Sequence, residues 1–435
     1  MSRSSALELE DIEYLLKKLF PFYRGLSGEG NTKTFEEIRR YVPLSIIGLK
    51  PGEKVHDWIV PPQWAVSSAY IADKDGNKIV DFDVNPLHLV VGSVSINKEL
   101  TFAELSPRLY RHKTISDAIP YRTNYYGHDW GFCITHDQYE KLKIAEHLMV
   151  VIDSRFDYSA PMEIGELLIP GKTEEQILIS TYICHPSLAN DNLSGIVLTT
   201  KLARWLSERK NHYTYRIVWC PETIGAIAYT ALREKFFENI YAGIVIATVG
   251  GPGKLGVKFS WDKKHPINYL VNQAVSTYEQ EFIRYPFDIL GSDERQYSSQ
   301  AYKINCVTIT KDKYYEYPEY HSSADDLSLV KSEYIQESLE AYKLLIDNLE
   351  NDQIYDSTVK NCEPFLKKHS LAEDLGGGFL PEKGSYSSKE LILWLNFYCD
   401  GSKRLSAIAQ LLNINFNEIV VVAKEMVKAG IIRRL

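Results

Sequence analysis

With 435 residues the chain is too long for one ordinary hydrophobic core, so two or three domains are expected. Hydrophobic residues at 45% and charged ones at 24% are globular values, and a net charge of -8 argues against the basic footprint of a nucleic-acid protein. The six cysteines fall singly, several inside apolar runs and none in a CxxC pair, so reduced core thiols are expected. The opening MSRSSALELEDIEYLL lacks the apolar core of a signal peptide and no window approaches a membrane span, which makes the cytoplasm the expected location.

Apolar positions at Leu7, Leu9, Ile12, Leu15, Leu16, Leu19 and Phe20 recur mostly at helical spacing and predict an amphipathic helix over 7–20. A glycine-rich turn over 25–31 leads to a second helix over 34–41. With no strand before it and no Gly-Lys-Ser ending, the turn is not read as a phosphate loop. From about Pro51 the texture changes to short β runs at 64–66, 69–72, 79–82 and 89–94, with Asp73-Lys74-Asp75-Gly76-Asn77 as a hairpin turn. These runs predict a small β domain over 51–138, inserted into a larger one. Within it, YRTNYYGHDWG at 121–131 is explained equally well by core packing and turn chemistry or as an aromatic wall of a substrate cleft.

The β-branched run 177–183 ends abruptly in Cys184-His185-Pro186. A polar segment then leads through Asp191-Asn192-Leu193-Ser194-Gly195 into an apolar helix start. A strand, loop and helix start in an open α/β sheet is where ligands bind. His185 offers an imidazole and Asp191 a hard carboxylate, the mixed set that zinc accepts, although such a pair taken alone is more often structural. Helix 196–209, strand 215–220, helix 224–236 and strand 242–247 then alternate, predicting an α/β fold whose mostly parallel mixed sheet is covered by helices. Strand 215–220 ends in Pro221-Glu222-Thr223, and Tyr320-His321-Ser322 follows the strand-like run 306–310. Three strand ends thus present His, Asp, Glu and His.

The segment GSDERQY at 291–297 is read either as a solvated charged turn or as part of the cleft. In the second reading Arg295 binds a substrate carboxylate, and Asp293 or Glu294 holds a substrate amine or replaces a metal ligand. Tyr315 adds an aromatic rim ahead of His321. After a helix over 333–349, a polar linker over 356–384 carries Gly376-Gly377-Gly378. Residues 385–435 then read as three helices and a short strand, a winged-helix pattern. Its candidate recognition helix, 416–427, has no Arg and carries two acids, so protein contacts or homo-oligomerisation are expected rather than specific DNA binding.

The order His, Asp-Asn-x-Ser-Gly, Glu-x-x-Gly, Ser-Asp and Tyr-His-Ser-x-x-Asp resembles the zinc aminopeptidases of the leucyl aminopeptidase and glutaminyl cyclase type. The whole chain resembles a bacterial aminopeptidase-like group with an inserted β domain and a C-terminal winged helix, often labelled provisionally as peptidases or polysaccharide-biosynthesis proteins. On that resemblance a discontinuous zinc exopeptidase-like catalytic domain spans 1–50 and 139–355. The resemblance implies that Asp191 bridges two zinc ions, that His185 and His321 bind one each, and that Glu222 is the general base. Two family ligands do not carry over: the second Glu of a Glu-Glu pair is Thr223, and the Asp expected one strand later falls in Ala247-Thr248-Val249-Gly250. His185, Asp191, His321 and a water then complete one four-coordinate zinc site per chain. The expected activity is aminopeptidase-like hydrolysis of an amide or peptide bond by metal-activated water, with Glu222 as base. The alternatives are an amino-sugar or small-amide deacylase linked to polysaccharide biosynthesis, and a non-catalytic binding protein on a peptidase fold.

Overall fold

The computed structural model describes residues 3–371 and 386–435. The chain forms two compact units, Met1–Trp261 with Phe282–Glu340, and Asp262–Glu281 with Ala341–Leu435. The first is organised on an eight-stranded mixed sheet in the order Ser45–Leu49, Met162–Ile169, Thr214–Cys220, Gln176–Tyr182, Ile240–Val245, Cys306–Lys311, Leu255–Lys258 and Ile283–Tyr285. The four central strands run parallel, and antiparallel pairs flank them on either side. A parallel strand is covered on both faces, which suits continuous apolar runs. Gln176–Tyr182 is accordingly buried at every position.

Helices flank this sheet, as the alternating pattern predicts. The first, Arg3–Leu19, buries Ile12, Leu15, Leu16 and Leu19, and Lys201 on helix Gly195–Ser207 reaches its Asp11 Oδ2 at 2.5 Å. The second helix begins earlier than its apolar spacing predicts, at Glu29–Ile38. Asn31 causes the shift by accepting from the Gly25 amide (3.0 Å) and donating to the Gly25 carbonyl (2.8 Å), which closes the turn and starts the helix inside it. Gly30 must be glycine, since a Cβ there would meet the Tyr23 carbonyl oxygen at 1.8 Å.

A second, four-stranded antiparallel sheet has the order Lys78–Asp81, Gln63–Ala72, Leu148–Asp157 and Ile96–Leu100. Its hairpin turn closes as expected, with Asp73 Oδ1 accepting from the amides of Asp75 and Asn77, each at 2.9 Å. The Leu148–Asp157 strand lies beyond the expected boundary at 138 yet supplies this sheet's longest pairing. Residues 89–94 form only isolated bridges rather than a strand, because Gly92 turns the backbone at φ +82°.

In the second unit, helices Pro266–Tyr278, Ser388–Tyr398, Leu405–Leu412 and Phe416–Lys428 accompany a three-stranded antiparallel sheet ordered Asp400–Arg404, Ile354–Ser357, Ile432–Arg434. Tyr269 packs edge-on against Phe416 at 6.2 Å and donates to the Ile414 carbonyl at 3.2 Å. Ile354–Ser357 is thus a central strand at the start of the stretch expected as a linker. The glycine triplet 376–378 lies outside the described residues. No helix among the described residues is long and apolar enough to cross a membrane.

Candidate metal centre

The site forms where the parallel strands end. Ile183 extends the Gln176–Tyr182 strand by one more hydrogen bond, to the Cys220 carbonyl at 3.0 Å, and the chain then turns out through Cys184 and His185. The neighbouring strand Thr214–Cys220 delivers Glu222 beside them. Adjacent parallel strands with loops leaving at the same end open such a crevice.

Asp191 is held by the rest of its motif. Asn192 donates to Thr181 Oγ1 (2.9 Å) and the Tyr182 carbonyl (3.1 Å), and accepts from the Thr248 amide at 3.2 Å. Asn190 accepts from the Gly250 amide (2.8 Å), and Ser194 Oγ accepts from the Val249 amide (3.1 Å). Residues 248–250, where the family pattern has an acid, therefore serve here as backbone anchors for this loop. Gly195 has no room for a side chain, since a Cβ would lie 2.2 Å from Asn192 Oδ1. The Asp191–Asn192 peptide is cis.

His185, Asp191 and His321 converge, with one ligand atom from each lying within 4.8 Å of the others. Asp191 is fully buried, and Tyr182 donates its hydroxyl to Oδ1. Oδ2 has no hydrogen-bond partner and sits 3.1 Å from His321 Nε2. A buried carboxylate oxygen without a donor is costly, and a cation answers it. Burial alone would raise the Asp191 carboxyl, but His185, His321 and Tyr182 hold it down at about 2. Burial drops the His185 imidazole to about 4 and keeps it in the neutral form that binds metals. Two imidazoles and an ionised carboxylate fit a divalent ion with nitrogen and oxygen ligands.

Glu222 stands at the edge of this group. Ser292 Oγ donates to its Oε1 at 2.9 Å, while Oε2 lies 3.9 Å from His185 Nε2. Burial and the Asp191 charge push its carboxyl up to about 7. Thr223, in place of a second glutamate, has φ +65°, and its amide donates to Asp293 Oδ1 at 2.7 Å. Arg295 Nη2 donates to Thr223 Oγ1 at 3.1 Å.

Among the residues expected in the cleft, Asp293 is fully buried against Thr223, and Glu294 is committed to Lys258 (2.5 Å), the Tyr314 hydroxyl (3.0 Å) and the Ser292 amide (3.3 Å). Neither belongs to the metal group. Tyr315 is exposed and packs edge-on to Tyr320, which stacks on His321 at 3.9 Å.

Several further residues support the site, of which sequence reasoning does not name Arg24 and assigns Asp325 no role. Asp325 accepts from the amides of Asn190 (2.6 Å) and Asp191 (2.9 Å) and from the Tyr317 hydroxyl (2.9 Å), clamping the metal loop. Asp325 is the last residue of the Tyr-His-Ser-x-x-Asp motif, four residues after His321. Buried Arg24 donates to the Leu19 carbonyl at 2.5 Å and reaches the His185 carbonyl at 3.5 Å. Tyr121 sets its ring 5.2 Å from His185 and 5.0 Å from His321, and its amide donates to the His321 carbonyl at 2.7 Å. The aromatic patch 121–131 therefore reaches the metal group.

A family model described as a domain of unknown function, DUF4910, matches residues 13–352. The chain belongs to the DUF4910 family. A Clostridium acetobutylicum protein provisionally named a polysaccharide biosynthesis protein with an aminopeptidase-like domain is 34% identical over 424 residues, covering 97% of this chain and 96% of the relative. A crystal structure from the same organism, provisionally named a peptidase, shares 33% identity with a TM-score of 0.89, covering 99% of this chain and 97% of that one. BSAP, a zinc aminopeptidase from Bacillus subtilis, has a TM-score of 0.61 at 12% identity, covering 79% of this chain and 94% of that one. That likeness concerns the fold, which is the zinc aminopeptidase-like α/β architecture.

Proposed function

We propose that this DUF4910 protein is a zinc-dependent hydrolase of an amide bond, aminopeptidase-like, with one zinc ion held by His185, Asp191 and His321. The observation that carries this reading is the convergence of His185, His321 and the buried Asp191, whose Oδ2 has only the His321 imidazole beside it at 3.1 Å, with a carboxylate base poised next to the same group. When bound there, zinc supplies Lewis acidity toward water and the scissile carbonyl.

Glu222 does the proton transfer. Ser292 fixes Oε1, leaving Oε2 to accept the proton of a water as that water's oxygen bonds to the carbonyl carbon. The same oxygen returns the proton to the nitrogen as the carbon–nitrogen bond breaks, giving a carboxylic acid and an amine that ionise together to carboxylate and ammonium. Asp293 and Glu294 act as positioning residues, the first on the Thr223 amide and the second on the Ser292 amide. Arg295, which donates to Thr223 Oγ1, would meet a substrate carboxylate, and the exposed Tyr315 would add an aromatic rim. The name of the Clostridium relative favours a second reading, removal of an acyl group from an amino sugar. A screen of aminoacyl amides and N-acetyl amides with the zinc-loaded chain tests both, and hydrolysis of neither class removes the proposal.

The C-terminal helices and strands form a winged-helix module for protein contacts. Phe416–Lys428 exposes Val421 and Val427 and carries Glu418 and Glu425, a poor match to a phosphate backbone.

A further inference from the structure

A cavity of about 410 Å³ opens between the loop after the first helix and the small-sheet region, and its walls carry six rings: Tyr23, Trp64, Tyr125, Tyr126, Phe156 and Tyr158. Such a volume is in the range that takes a small molecule or one large side group. Residues 59–62, Ile-Val-Pro-Pro, add further apolar lining. Among the described residues the lining holds no carboxylate, carboxamide, lysine or arginine, and His128 is its sole imidazole.

Two of the tyrosine hydroxyls on these walls contact backbone carbonyls. Tyr126 donates to the Ile59 carbonyl at 2.5 Å, and the Tyr125 hydroxyl lies 3.5 Å from the Glu222 carbonyl. Tyr23 alone brings a buried hydroxyl without a partner. A charged occupant would leave water here without a side chain of opposite charge to meet it, whereas an uncharged ring would meet matching faces.

The walls are braced by their own packing. Tyr125 and Tyr126 pack edge-on at 5.0 Å, and Trp58 packs on both at 6.1 and 5.7 Å. Trp64 Nε1 donates to the Ser93 carbonyl at 2.9 Å, and its ring lies 6.4 Å from Tyr23. The Gly25–Asn31 hydrogen-bond pair fixes the loop that follows Tyr23. The two wall segments also reach the metal centre, Tyr125 through the Glu222 carbonyl and Tyr23 through the adjacent Arg24, which contacts the His185 carbonyl. An aromatic chamber whose wall residue Tyr125 touches the backbone of the base-bearing loop is placed to hold part of whatever is hydrolysed.

We infer that this chamber is a substrate subsite for a bulky, uncharged aromatic group on the amide, an assignment that rests on the amide-hydrolase reading. The segments that build it come mainly from the small-sheet region and the loop after the first helix, so the subsite gives that region a role in specificity. Tyr126 and Tyr158, at 40% and 69% exposure, are the residues whose apolar faces the occupant would cover.

The test measures binding separately from turnover. The full chain, zinc-free and zinc-loaded, is titrated with phenylacetamide, with acetamide and with N-acetylglucosamine, and tryptophan fluorescence and calorimetry follow the binding. Saturable binding of phenylacetamide is expected, at least 10-fold tighter than acetamide or N-acetylglucosamine, with or without zinc. Tyr126→Ala combined with Tyr158→Ala should weaken it at least 10-fold while circular dichroism stays unchanged. Should that variant misfold, the ligand ranking on the wild-type chain decides alone. Absence of phenylacetamide binding, or tighter binding of the sugar, overturns the subsite. Hydrolysis of small aminoacyl amides in that case leaves the hydrolase reading standing, and aromatic binding by a chain that hydrolyses no amide has the opposite meaning.

Discussion

The Tyr182 hydroxyl donates to Asp191 Oδ1, which leaves Oδ2, 3.1 Å from His321 Nε2, as the carboxylate oxygen free for a ligand. A bridge to a second ion through Oδ1 would have to share that oxygen with the Tyr182 hydroxyl. Together with Thr223 and the stretch 247–250, which offer no carboxylate where the family resemblance implies terminal acids, this predicts about one tightly held zinc per chain. Elemental analysis after extensive dialysis without chelator checks it. Two retained equivalents would contradict the single-ion site.

Asp325 should govern metal affinity without touching the metal. Its two oxygens hold the amides of Asn190 and Asp191, so Asp325→Ala leaves two buried N–H groups unpaired and loosens the loop. Residues that orient metal ligands typically change affinity about 10- to 100-fold. A competition titration with a chromogenic chelator should show a loss of that size, and an unchanged affinity would mean the loop is held by other contacts.

A buried charge cluster away from the centre should carry stability. Glu166 meets Arg216 at 2.7 Å, Arg233 at 2.8 Å and the Tyr229 hydroxyl at 2.5 Å. Glu166→Ala strands the largely buried Arg216 and should cost about 3–5 kcal/mol in urea unfolding. Burial alone would raise the Glu166 carboxyl, but Arg233, Tyr229 and Arg216 hold it below its ordinary range. The lowered value means the stabilisation is present above the unfolded glutamate value near 4.3 and is lost as pH falls through the lower folded-state value. The gap between wild type and Glu166→Gln should therefore close in that acid window. A gap that widens there would reverse the assignment.

The C-terminal module should leave duplex DNA alone. Sub-micromolar affinity of the full chain for random duplexes, falling steeply with salt, would oppose this expectation.

Strand ends were the most legible part of the sequence. The run 177–183 is β-branched and then breaks at Cys184-His185-Pro186, so the change from core to site is written locally. What could not be read depends on distant partners. Asp325 clamps a loop 134 positions earlier, and Leu148–Asp157 joins the small sheet because Gln63–Ala72 and Ile96–Leu100 wait there with matching register. Glu294 looks like a solvated acid in GSDERQY, yet Lys258, 36 positions away, takes it into the interior. The early helix start at Glu29 was hidden in a side-chain bond between Asn31 and Gly25.

Glu222→Gln tests the central claim most directly. The amide keeps the shape of the side chain and an acceptor for Ser292 but cannot carry the proton, so hydrolysis of the best aminoacyl or N-acetyl amide should fall about 10²- to 10⁴-fold. Zinc content, measured on the same preparation, should stay at about one per chain. Undiminished hydrolysis, or zinc lost in proportion to activity, would contradict the account and make Glu222 either a bystander or a metal ligand.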